Sequence, residues 1–187
     1  MKQPKKKFMG KRDNNKFERK GRDFYATIDP AAATALVDHL PLPCAYVEPC
    51  AGAGDLVNEL SRYHAVVCVG ACDLEPSANW VARTDCLTLT QDDLLAGVNC
   101  FITNPPFTWD MLKPILDHLP TLKPTWLLLP ADYMHNVRMG PYMKKCERIV
   151  SVGRLYWEPN KKKGVDNFAW FKFIDKPVET VFYGRKV

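Results

Sequence analysis

The chain has 187 residues, 47% hydrophobic and 25% charged, with a net charge of +5. That length supports one domain with a proper core and is not comfortably enough for two. No apolar run approaches the ~18 residues of a membrane span, and the N-terminus is basic and polar instead of apolar like a secretory signal, so the expectation is a cytoplasmic protein without a membrane partner.

The charge is unevenly spread. Residues 1–22 hold ten Lys and Arg against Asp13 and Glu18, a charge of +8 that leaves −3 for the rest. With only Phe8, Met9 and Phe17 as large apolar residues after Met1, this segment cannot bury enough surface to fold alone and is expected to be a flexible basic arm. Such an arm suits an electrostatic tether to nucleic acid. The seven cysteines are an odd set, scattered in apolar context, which argues for reduced core thiols over a disulfide framework. Cys68 and Cys72 lack His or Cys companions at zinc-ligand spacing, so no metal is expected.

After the arm, Asp29-Pro30 reads as an N-cap followed by proline at the first helical position, opening an Ala-rich helix to about Leu40. Residues 45–48 form a short strand that runs into Pro49-Cys50-Ala51-Gly52-Ala53-Gly54, where the glycines permit a sharp turn and close approach to a ligand. A helix from Asp55 to about Tyr63 follows. The continuous apolar run 65–71 predicts a central parallel strand buried on both faces. A brief helical piece is expected over 77–80, a weak strand over 81–83 and a short helix over 91–95. A buried strand spans 99–103, an amphipathic helix 111–119 and a further strand 125–129. A short helix near 142–146 precedes strands over 148–156 and 168–173, and 181–183 is a candidate last strand.

Apolar strands alternating with helices imply an α/β domain, a mostly parallel sheet covered on both faces. Ligands in such sheets bind beyond the carboxyl ends of the strands. Glu48, Gly52, Gly54, Asp73, Asp85 and Asn104 all fall just after a predicted strand. The glycine pattern lacks the third small residue of a dinucleotide fingerprint, and Glu48 would oppose a pyrophosphate. A ligand with a cationic end suits Glu48 better. Asp73 can accept from both hydroxyls of a ribose and Asp85 from a purine amino group, so the three acids together describe an adenosine bearing a charged amino acid. Asn104-Pro105-Pro106-Phe107 closes the 99–103 strand with a stiff turn, because both prolines fix φ and hold the preceding residue extended. The Asn104 side chain and the Pro105 carbonyl offer two acceptors beside an aromatic ring, an arrangement that suits the planar amine of a nucleobase.

These motifs, in this order and with Glu48 and Asn104 56 residues apart, resemble the class I S-adenosylmethionine-dependent amino methyltransferases whose catalytic tetrapeptide is Asn/Asp-Pro-Pro-aromatic. The resemblance covers roughly residues 23–173. It implies a Rossmann-like domain over 23–187 with a seven-stranded sheet and no separate target-recognition domain, so sequence specificity would be short or supplied by a partner protein. It implies S-adenosyl-L-methionine as cofactor, held by Glu48, Pro49, Ala51, Gly52, Gly54, Asp73, Leu74, Asp85, Cys86 and Asn104. Tyr25 and Thr27, in Asp23-Phe24-Tyr25-Ala26-Thr27, resemble the motif at the methionine end, with Ile28 where the family has proline. Asn104, Pro105, Pro106 and Phe107 would be catalytic. The segment around Phe168 and Trp170 resembles the late motif that supplies a second aromatic wall. Lys161, Lys162 and Lys163 would contact phosphate. The family's substrates include adenine in DNA, adenine or guanine in RNA, and protein glutamine. The basic arm and Lys161–Lys163 favour nucleic acid, with N6 of adenine in DNA preferred, RNA adenine next, then protein glutamine. A catalytically idle binding module is the remaining alternative.

Overall fold

Eight strands hydrogen-bond into one sheet in the order β3-β2-β1-β4-β5-β7-β6-β8. The computed structural model describes residues 25–185; the basic arm, Asp23, Phe24 and the last two residues lie outside the described residues. The strands are Cys44–Glu48 (β1), Val66–Asp73 (β2), Ala82–Arg83 (β3), Cys100–Thr103 (β4), Thr125–Pro130 (β5), Cys146–Arg154 (β6), Asn167–Phe173 (β7) and Val181–Tyr183 (β8). β7 runs antiparallel to both neighbours, and all other pairs are parallel.

The sheet has one strand more than the seven that the resemblance implies, and the last, β8, is the 181–183 candidate. It adds beside β6, from Arg148↔Val181 to Val150↔Tyr183. Thr180 Oγ1 donates to the Cys146 carbonyl at 2.7 Å and so anchors its start. Three residues give little signal alone, but the open backbone edge of β6 recruits them.

Helices Pro30–Val37 (α1) and Asp55–Leu60 (α2) cover one face, and Trp109–Leu122 (α3) covers the other. α1 starts as its sequence predicts. Asp29 Oδ1 accepts from Ala31 N at 3.0 Å and Oδ2 from Tyr156 N at 3.2 Å, which ties the cap to the chain leaving β6. α3 buries Leu112, Ile115, Leu116 and Leu119 along one stripe. The short helices expected at 91–95 and 142–146 take the form of a single turn at Gln91–Asp93 and four residues at Gly140–Met143.

β2 departs from expectation. Instead of being buried on both faces, it leaves Val67 50% and Val69 36% exposed. Residues 77–80 form turns and not the expected helical piece, and β3 is two residues long. Among the described residues, no helix therefore lies over that face. Four residues cannot repay the nucleation of a helix without a face to bury.

Candidate active site

The strand order reverses between β1 and β4, which are adjacent and parallel. Such a reversal opens a crevice at the carboxyl ends, because the connections leave to opposite sides. Glu48 ends β1, and Asn104 directly follows β4. Both line one cavity of about 460 Å3, a size typical of small-molecule sites. Twelve of the sequence-predicted residues line it: Tyr25, Thr27, Glu48, Pro49, Ala51, Gly52, Asp73, Leu74, Asp85, Cys86, Asn104 and Pro106.

Glu48 is 2% exposed, and its Oε2 has no hydrogen-bond partner. Burial holds its carboxyl well above the usual range, and the nearby carboxylates of Asp55 and Asp73 push it the same way. A buried acid with an unpaired oxygen is poised for a cationic partner. Asp73 braces the turn beside it, with Oδ2 accepting from Gly52 N and Oδ1 from Glu75 N, each at 2.8 Å. Those two bonds hold the Gly52 loop against the end of β2, while burial raises the Asp73 pKa. Asp85 Oδ1 accepts from Leu87 N at 2.9 Å and caps the turn that begins at Cys86.

Asn104 is oriented by its partners. Its Nδ2 donates to the Tyr25 carbonyl at 3.1 Å and to Thr27 Oγ1 at 3.0 Å. The carbonyl can only accept, so the amide cannot be flipped. Oδ1 is consequently left buried and without a partner. Leaving a buried acceptor unpaired costs about 1–3 kcal/mol.

Pro105 and Phe107 stand outside the cavity wall. The Phe107 carbonyl accepts from Tyr133 OH at 2.6 Å. Its ring stacks on Tyr25, with centroids 5.5 Å apart and planes at 24°, and meets Phe168 at 5.7 Å. Phe168 is 6% exposed and also touches Trp157 at 4.8 Å. The exposed Lys161, Lys162 and Lys163 sit in the loop that follows Trp157 and precedes β7.

Two expectations need correction. Gly54 does not line the cavity: it precedes α2 with φ at +83°, and a Cβ there would fall 2.1 Å from the Trp80 ring. Its bareness serves chain direction and ring packing. Trp170 cannot be a substrate wall. It is fully buried, and its Nε1 donates to the Ala32 carbonyl of α1 at 2.8 Å. The sequence reading also missed four contributors. Asp55 lies close enough to Glu48 to raise its pKa. Met111 and Ile115 reach the cavity from α3, a placement legible only in the i, i+4 spacing of the helix that follows the Asn-Pro-Pro-Phe turn. Trp157 joins the aromatic group, and no motif flagged it.

No family model and no curated protein sequence matches the chain. Solved structures are similar to it. A modification subunit ascribed to a type I restriction enzyme of Vibrio vulnificus YJ016 has a TM-score of 0.53 at 14% identity, covering 88% of this chain and 47% of that one. The type I restriction-modification methyltransferase subunit of Streptococcus thermophilus gives 0.51 at 13% identity, covering 87% and 47%. A chain from a type I restriction-modification system studied for its complex assembly gives 0.54 at 12% identity, covering 84% and 44%. The chain has a Rossmann-like α/β fold, shared with these restriction-modification subunits. It spans less than half the length of each of these neighbours. At these identities the likeness speaks for the fold, and the chemistry has to be argued from the site.

Proposed function

We propose that the chain transfers the methyl group of S-adenosyl-L-methionine to the exocyclic N6 amine of adenine in DNA. The observation that carries this reading is the pair of orphan acceptors on one cavity, Glu48 Oε2 and Asn104 Oδ1. One suits an ammonium and the other an amine, and both are required when an amino-acid-bearing donor meets an amino acceptor.

The residues present fit the donor. Glu48 would take its ammonium, Asp73 its ribose hydroxyls and Asp85 its adenine amine, with Thr27, Pro49, Ala51, Gly52, Leu74 and Cys86 as the surrounding wall. When bound, the donor supplies a methyl group already activated on a sulfonium. The work of the chain is then to place and polarise the acceptor. Asn104 Oδ1 and the Pro105 carbonyl would accept the two amine hydrogens, drawing the nitrogen toward a pyramidal shape and freeing its lone pair from the ring. Pro106 stiffens this turn, and Phe107 would stack on the base, a contact worth about 1–3 kcal/mol. The amine needs no general base before attack, because it sheds its proton after the N–C bond has formed, so no histidine is given a role in this reading.

The basic arm and Lys161–Lys163 support a nucleic acid as the substrate polymer by charge. Sequence specificity, in this proposal, is short or supplied by a partner protein. The test is methyl transfer from labelled donor to duplex DNA, single-stranded DNA, RNA and protein. DNA should be labelled. Asn104→Ala should lower turnover on the order of 100-fold or more while calorimetry still detects donor binding. Label on RNA or glutamine alone would replace the substrate, and a wild-type chain that does not bind the donor would make this an idle module.

A further inference from the structure

Four rings close a circuit beside Asn104. Tyr25 meets Phe107 at 5.5 Å, Phe107 meets Phe168 at 5.7 Å, Phe168 meets Trp157 at 4.8 Å, and Trp157 returns to Tyr25 at 5.6 Å. Two of the four are fixed by the fold. Phe107 follows two prolines, and its carbonyl is held by Tyr133. Phe168 is buried in β7, paired on one side with Pro130 and on the other with Gly153. Tyr25 and Trp157 lie outside any strand or helix, and both are partly exposed.

A base whose amine reaches Asn104 Oδ1 and the Pro105 carbonyl has to lie along the Phe107 ring. Tyr25 already lies there, nearly parallel at 24°. At 5.5 Å between centroids the two rings are in direct contact, and no third ring fits between them. The base and the Tyr25 side chain therefore compete for one space. Phe168 sits at the side of Phe107 in a buried tilted contact and cannot give way without opening the core. The ring that yields is Tyr25, and the neighbour across from Phe107 in the vacated space is the one that Tyr25 now touches, Trp157.

We infer that the space filled by the Tyr25 ring is the target-base slot, with Phe107 as its inner wall and Trp157 as its outer wall, so that Trp157 contacts substrate and Tyr25 holds its place. This rests on the reading of the site as one for a nucleobase amine. It moves the second wall from the buried Phe168 to a ring that solvent reaches. It also joins the slot to the basic loop: Gly164 N donates to the Leu155 carbonyl at 2.8 Å, and a Cβ placed on Gly164 would lie 3.8 Å from Trp157 Nε1, so the loop carrying Lys161–Lys163 returns beside the outer wall. Lys161 adopts a left-handed φ of 56°, where glycine or asparagine is the less strained choice, and the strained position carries a cation at the loop tip.

The test measures binding of fluorescent single-stranded oligo-dA, oligo-dC and oligo-dT to wild type, Tyr25→Ala, Trp157→Ala and Trp157→Phe, with donor affinity by calorimetry in parallel. Trp157→Ala should weaken oligo-dA binding roughly 5- to 150-fold, and Trp157→Phe should restore most of it. Donor affinity should hold in both, since Trp157 does not line the donor cavity. Tyr25→Ala should tighten oligo-dA binding about two- to tenfold by removing the competing stack. Weaker oligo-dA binding by Tyr25→Ala overturns the place-holder. Unchanged binding by Trp157→Ala, or loss of donor and oligonucleotide together, overturns the outer wall. Wild type that binds none of the three oligonucleotides fails earlier, at the nucleic-acid reading, and removes the slot with it.

Discussion

Glu48→Gln separates the cost of the site from its use. In the folded chain the Glu48 carboxyl is held well above its ordinary value of 4.5, first by burial and then by Asp55 and Asp73. The fold thus binds this proton more tightly than the unfolded chain does. By linkage, the stabilisation due to protonated Glu48 is fully present below the unfolded pKa and is lost as pH rises through the folded one. Gln has the same shape, keeps an acceptor for Val57 N, and has no proton to lose. Melting temperatures of the two proteins should therefore lie close together near pH 4 and diverge as pH rises, with Gln the more stable. Each pH unit over which the folded chain keeps this proton and the unfolded chain does not costs wild type about 1.4 kcal/mol relative to Gln, which for a chain of this size is roughly 3–5 °C. The same substitution should cost the donor its ammonium partner, about 2–5 kcal/mol for a buried charged pair, or roughly 30-fold or more in affinity. Wild-type affinity should also rise with pH across the interval in which Glu48 loses its proton, with proton release visible in calorimetry as a dependence on buffer ionisation enthalpy. A Gln variant that melts no higher than wild type at neutral pH and binds the donor equally well would refute this reasoning and leave Glu48 as a structural acceptor.

Gly54→Ala meets both a left-handed backbone (φ +83°) and the Trp80 ring at 2.1 Å. It should destabilise by at least about 1 kcal/mol from the backbone alone, and a Gly54→Ala, Trp80→Ala double mutant should recover the ring clash but not the backbone share in urea melts. Val67→Thr and Val69→Thr on the open face of β2 should each change stability by no more than about 0.5 kcal/mol, where a strand buried on both faces would lose several times that. Deleting residues 1–22 should weaken DNA binding and flatten the slope of log K against log salt, because every phosphate the arm no longer neutralises takes about 0.9 off that slope; titration at several salt concentrations reads it directly.

The cleft was legible because Glu48 ends one short apolar strand and Asn104 directly follows another, and in a parallel sheet residues at the carboxyl ends of the strands land on the same edge. What the sequence could not supply was coverage. The 65–71 run is apolar enough for a central strand, yet burial of its second face depends on a helix, and Ser77-Ala78-Asn79-Trp80 is too short and too polar to form one. Phe168 and Trp170 show the same limit. Alternation puts both on one face of β7, but Phe168 sits at the end of the strand beside Trp157, while Trp170 lies two residues deeper, beneath α1. Trp157 itself is 53 residues from Asn104, in a loop without periodicity, so only the folded chain reveals that the two share a neighbourhood.

The two ends of the Asn104 amide explain why an amide stands there. Families with this tetrapeptide accept Asn or Asp, since either offers an oxygen to an amine. Here the nitrogen end donates to the Tyr25 carbonyl and to Thr27 Oγ1, so aspartate would set a carboxylate oxygen about 3 Å from a carbonyl oxygen, two acceptors without a proton between them. The donor half of the side chain draws the N-terminal segment over the cavity and brings Tyr25 onto Phe107. The acceptor half is kept dry and unpaired by that same closure. Loosening the segment would let water reach Oδ1 and satisfy it, lowering the gain from the incoming amine. In the proposed reaction, the residue that would receive the target amine is thus also the residue that keeps its own acceptor empty.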